Sequence, residues 1–168
     1  MKPRHFAVVA LLVALSTETP VPGAPTGKMR GVCWEGAGRI DATNLAPLHE
    51  LGADWISQTP FGWTPSLTST EIRYGSNGGL WGESDDGLVK TAAWANALGI
   101  KTLLKPHLWV RHGEWPGNIA MATDEAWTQW FASYEAFILH YARLAEANGF
   151  EALAIGTELG KTTAHTAD

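Results

Sequence analysis

The chain has 168 residues, a formal net charge of −5, 45% hydrophobic and 17% charged residues, proportions that exclude a disordered tail and a basic nucleic-acid binder and suit one globular domain. Its single cysteine, Cys33, excludes an internal disulfide framework and a cysteine-rich zinc site, so stability must come from a packed core. Nine tryptophans imply either a heavily aromatic interior or a surface that stacks on flat ligands.

In chain order, Lys2, Arg4 and His5 precede the apolar run Phe6 to Leu15, after which come Ser16 and a segment rich in Thr, Pro and Gly. This is the layout of a secretory signal peptide over residues 1–16, with cleavage after Ser16 or near Ala24, and it predicts export to the periplasm or exterior. The apolar run is too short to span a bilayer. Cleavage after Ser16 leaves ten basic against seventeen acidic residues, a net −7, which disfavours polyanionic partners, nucleic acid included. Residues 17–28 lack apolar periodicity and read as a linker.

From Met29 onward, short apolar runs alternate with helical spacing, the pattern of βα units around a parallel sheet. The pattern predicts a strand over 29–33 and a helix over 43–51 with Leu45, Leu48 and Leu51 on one face. A second strand over 54–58 leads into a loop over 59–84. Asp85 or Asp86 is expected to cap a helix that stops at Gly99. The third strand, 101–105, is expected to end at Pro106, followed by a loop to Ala122. The strongest signal is the third helix: aromatic and aliphatic residues recur every three or four positions from Trp127 to Ala145, and Gly149 ends it. A fourth strand over 151–155 and a polar tail over 160–168 complete four strands and three helices.

Ligands of α/β folds bind beyond the carboxyl ends of the strands. Trp34, Trp63, Trp81, Trp109 and Trp115 are expected there, in loops, with Lys105, His107, Glu114 and Glu158; Trp55, Trp94, Trp127 and Trp130 are expected in the core. No phosphate loop occurs, His107, His112 and Glu114 lack metalloprotease spacing, and no serine has an elbow motif, so no cofactor or metal is expected. Lys105 suits a substrate or carboxylate contact better than a Schiff base. A carboxyl in a hollow walled by aromatic rings can hold a proton and act as a general acid on a glycosidic oxygen while the rings stack on sugar faces. Position alone leaves Glu158 open to a second reading, as a cap of the next helix.

Lys105-Pro106-His107-Leu108-Trp109, Trp115-Pro116-Gly117-Asn118-Ile119, the set Trp130, Phe131, Tyr134, Phe137, Ile138, Tyr141, Ala142, and Ile155-Gly156-Thr157-Glu158-Leu159 together resemble glycoside hydrolase family 113. The resemblance covers about residues 29–160. That family consists of retaining (β/α)8, or TIM-barrel, β-mannanases whose acid/base glutamate ends strand four and whose nucleophile ends strand seven. The resemblance implies that Glu158 is the acid/base and that Lys105, His107, Trp109 and Trp115 line the substrate cleft; Trp34, Trp63 and Thr157 are further substrate-binding candidates.

Such a barrel needs eight βα units and about 250 residues. Residues 29–168 are therefore expected to form the N-terminal half of a (β/α)8 barrel, with a parent activity on β-1,4-mannan and no turnover by this chain alone, because a retaining glycosidase needs two carboxyls about 5 to 5.5 Å apart. Glu35 and Glu114 are the local carboxyls that could be considered as partners. The alternative is a non-catalytic carbohydrate-binding half-barrel or a degenerate gene fragment. Open sheet edges would favour a separate C-terminal half or self-association.

Overall fold

The computed structural model describes residues 28–36, 38–75 and 79–165. The expected leader and nearly all of the expected linker lie outside the described residues. Four parallel strands form one sheet in the order β1 (Gly31–Trp34), β2 (Trp55–Gln58), β4 (Lys101–Leu104) and β6 (Ala152–Leu153). A second, two-stranded parallel sheet pairs β3 (Phe61–Thr64) with β5 (His107–Val110).

The second sheet corrects the expectation that 59–84 and 106–122 are loops throughout. β3 and β5 continue β2 and β4 past Pro60 and Pro106. Lys105 donates its N–H to the Gln58 carbonyl at 2.8 Å and His107 donates to the Pro60 carbonyl at 3.0 Å. Backbone groups alternate sides along a strand, so the N–H that Pro106 lacks faces away from β2, and the ladder resumes one residue later. The fourth strand is shorter than expected. Its pairing is extended at both ends, by the Glu151 carboxylate accepting the Thr102 N–H at 2.7 Å and by the Ala154 N–H donating to the Leu104 carbonyl at 2.8 Å.

The expected helix over 43–51 is a 3-10 turn, Ala42–Asn44, followed by α1 (Ala46–Glu50). Leu45 is fully buried, but Leu51 is 84% exposed and leaves the predicted face because the helix ends before it. α2 (Asp85–Ala97) is capped by Ser84, whose hydroxyl accepts the Gly87 N–H; Asp85 and Asp86 instead occupy the first turn, where carboxylates favour the helix dipole. α3 runs over Asp124–Asn148, with the Thr123 side chain accepting the Ala126 N–H at its start; Gly149, in the left-handed conformation, ends it, as the sequence predicts. The expected polar tail instead contains α4 (Gly160–Ala164), which buries Thr162.

Two apolar clusters hold the layers. Leu45, Ile56, Ala95 and Ile100 seat α1 and α2 under the sheet. The larger cluster joins Leu88, Leu104, Leu108, Val110 and Ile119 to Trp127, Trp130, Phe137 and Tyr141 of α3. Gly62 is required here by close approach. A Cβ on it would lie 2.8 Å from the Phe137 ring and 3.1 Å from Leu108, so β3 rests directly on α3. Trp55, Trp127 and Trp130 are buried, as expected, and Trp94 is partly buried. β1 and β6 are the edges of the larger sheet, and Val32 and Ile155 near them are 41% and 73% exposed.

Candidate active site

Alternation along the β3/β5 ribbon separates two faces. Gly62, Thr64, Leu108 and Val110 are buried, whereas Phe61, Trp63, His107 and Trp109 point to the other side. Those four rings form a continuous platform. Phe61 lies 5.4 Å from His107 and 5.8 Å from Trp109, and Trp63 lies 5.9 Å from Trp109, all centroid to centroid. Trp63 and Trp109 remain 44% exposed. Such area on a rigid strand pair, left uncovered, is a ready stacking surface.

Beside this platform, Glu158 ends the segment that follows β6. Its backbone φ of 53° lies in the left-handed region, a conformation that costs a residue with a Cβ about 1–2 kcal/mol and that persists only where neighbours enforce it. Tyr134 of α3 is one such neighbour: its hydroxyl donates to the Ile155 carbonyl at 3.0 Å. Burial pushes that phenol up to about 12, so it stays protonated and a donor. The Glu158 carboxylate accepts the Trp115 indole N–H at 3.2 Å and lies 3.5 Å from His107 Nε2. The α4 N-cap is Leu159, without a side-chain cap, so the reading of Glu158 as a helix cap is set aside.

A cleft of about 180 Å³ connects these groups. Its lining includes His107, Trp109, Trp115, Glu158 and, from the turn after β5, Glu114. Burial holds the His107 imidazole below the usual histidine range; the Glu158 carboxylate pulls it upward, and the Lys105 ammonium lowers it further. His107 is therefore a neutral imidazole near pH 7. Its protonation on folding is opposed, so this group removes stability as the pH falls from the ordinary histidine value toward its depressed one. Ring-proton NMR should record a His107 pKa below the ordinary value, lowered further by Glu158→Gln and raised by Lys105→Met.

Lys105 precedes His107 by two residues and reaches the site through its charge. Thr157 is half-buried in the turn before Glu158. Two tryptophans expected at the site are elsewhere. Trp34 is the last residue of β1 and packs on the Leu45 and Ile56 cluster beneath the sheet. Trp81 lies 6.2 Å from Trp94 of α2, with Arg39 over its ring. Trp63 and Trp109 lie on strands rather than loops, as a consequence of the ladder resuming beyond each proline. Glu35 does not line the cleft and acts on Glu83, whose pKa is raised by burial and then by Glu35. Among the described residues no group of three or more His, Cys, Asp or Glu side chains is placed to hold a metal ion. Sequence reasoning did not single out Tyr134 as a support of the site, although its place on the apolar stripe of α3 was visible.

Comparison with known proteins places the chain in a family. Residues 34–168 match the model of Glycoside Hydrolase Family 113. The solved structure of the GH113 β-mannanase AaManA from Alicyclobacillus acidocaldarius, in complex with ManMIm, is similar at 28% identity and a TM-score of 0.73, over 82% of this chain and 47% of that one. A GH113 β-1,4-mannanase of 24% identity shares the fold, with a TM-score of 0.67 over 79% of this chain and 46% of that one. This chain thus spans about half the length of the solved structures it matches, and the strands of its described residues pair in parallel within an α/β fold. No curated protein matches it.

Proposed function

We propose, from the premise that this chain belongs to glycoside hydrolase family 113, that it supplies the acid/base half of a retaining β-1,4-mannan hydrolase. The observation that carries the reading is the Glu158 carboxyl, held by the Trp115 indole N–H next to an exposed aromatic platform. A mannan chain stacks its apolar sugar faces on Trp109 and Trp63. The Glu158 carboxylic acid gives its proton to the departing glycosidic oxygen as the bond to the anomeric carbon breaks; in the second step the carboxylate takes a proton from the incoming water. The Trp115 N–H fixes which oxygen faces the scissile bond. His107, kept neutral by burial, adds no fixed positive charge against Glu158, so the carboxylate can take its proton back from the incoming water in the second step.

The retaining mechanism needs a nucleophilic carboxyl on the opposite sugar face. We place that group on further βα units, supplied by another polypeptide or in a longer chain. The 168-residue chain alone should bind mannooligosaccharide saturably, followed by Trp fluorescence, and release no reducing ends. Trp109→Ala should weaken that binding about tenfold, the size of one lost aromatic stacking contact with its buried area. A flat fluorescence titration would remove the glycan reading. Turnover by the chain alone, abolished by Glu114→Gln, would make Glu114 the nucleophile and overturn the two-half mechanism. We also propose that the chain is exported through the leader at residues 1–16; a mature N-terminus at Thr17 or near Pro25 in secreted protein is the expected result.

A further inference from the structure

Beyond Trp63, the platform face ends in two guanidinium groups. Arg73 forms an antiparallel bridge with Trp63, with backbone hydrogen bonds of 2.7 and 2.9 Å. Its neighbours Ile72 and Tyr74 pack into the core, so Arg73 faces outward, as Trp63 does. Arg111 follows Trp109 by two residues. Together Trp63, Thr64, Pro65, Arg73 and Arg111 line a pocket of about 360 Å³. The two arginines differ in occupation. The Arg73 guanidinium is held by both Glu71 carboxylate oxygens, at 2.8 and 3.1 Å. Among the described residues no carboxylate lies within 4.0 Å of Arg111.

We propose that this pocket binds an acidic sugar unit, with the Trp63 indole under the ring and the Arg111 guanidinium on the carboxylate of a uronic acid. The inference rests on the glycan-cleft reading and deepens it: Trp109 lines the Glu158 cleft and lies 5.9 Å from Trp63, so one sugar chain can lie across both pockets. The planar guanidinium fork matches a carboxylate with two parallel hydrogen bonds. A chain with a formal charge of −5 repels a polyanion, so the fitting ligand is a largely neutral glycan with an isolated carboxylate.

Calorimetric titration of the 168-residue protein with a β-1,4-linked oligosaccharide carrying one uronic acid, and with its carboxyl-reduced counterpart, tests this. The acidic sugar should bind about fivefold more tightly at low ionic strength, the size of a well-formed but solvent-exposed charge pair. That preference should shrink in about 0.5 M salt and vanish in Arg111→Ala with the melting temperature unchanged, since Arg111 is exposed. Arg111→Lys should keep part of it. Equal affinities for the two sugars, or a preference that survives Arg111→Ala, overturn this inference while the cleft reading stands. Binding of neither sugar overturns both. Inorganic sulfate binding as tightly as the acidic sugar would make the pocket an ion site and overturn it as well.

Discussion

Glu158→Gln, in a barrel completed with the remaining βα units of a family 113 enzyme, should lower kcat/KM on mannooligosaccharide by about 10²–10⁴, the range of a lost general acid and base. The pattern across substrates is the stronger test. An aryl mannoside with a leaving group as acidic as dinitrophenol departs without protonation, so its bond to the anomeric carbon should still break at close to the parent rate. Hydrolysis of the glycosyl-enzyme then lacks its base, and the intermediate should accumulate as a burst. Added azide, a nucleophile that needs no deprotonation, should restore turnover and give the β-glycosyl azide. The amide is close in size to the carboxyl, and Glu158 is 51% exposed at its side chain, so folding should be unaffected. Equal losses on both substrates, without a burst, would assign Glu158 a binding role and remove it from the chemistry.

Much of this site follows from local signals, and the remainder depends on how backbones meet. The α3 stripe, with residues from Trp127 to Ala145 at intervals of three and four, was legible because burial of one helix face writes its own period into the chain. The strand cores at 55–58 and 101–104 were legible as short apolar runs between turn residues. The ribbon beyond them was not. A proline ends a strand in sequence terms, and only the direction of the missing N–H, set by the register with the neighbouring strand, decides whether the ladder is broken. That one ambiguity moved Trp63 and Trp109 from flexible loops to a rigid face, which changes how precisely a sugar can be held. Trp34 shows the converse: its position after a strand suggested the cleft, but one residue more of strand turned its ring toward the helices. Ser84 in place of Asp85 as the α2 cap is a one-residue ambiguity among three adjacent polar residues, each a competent capping type.

Phe137→Ala should lower unfolding free energy by about 3–5 kcal/mol, read from urea melts followed by circular dichroism. Phe137 is fully buried, and its ring is within 5.8 Å, centroid to centroid, of those of Tyr74, Tyr134 and Tyr141. Its edge also supports Gly62, where a Cβ would lie 2.8 Å away. Gly62→Ala in the parent should therefore overpack the contact and cost about 1–3 kcal/mol. In the Phe137→Ala background the same methyl would enter the vacated space. The double variant should then be more stable than the two single losses predict, with a coupling of about 0.5–3 kcal/mol. Function should follow the same coupling. Gly62 precedes Trp63, so pushing β3 off α3 tilts that indole away from Trp109, and Gly62→Ala should weaken oligosaccharide binding more than its exposure to ligand would suggest. The double variant should recover part of that affinity. Strict additivity in both stability and binding would mean that the platform is positioned by its own ring contacts rather than by the long helix beneath it.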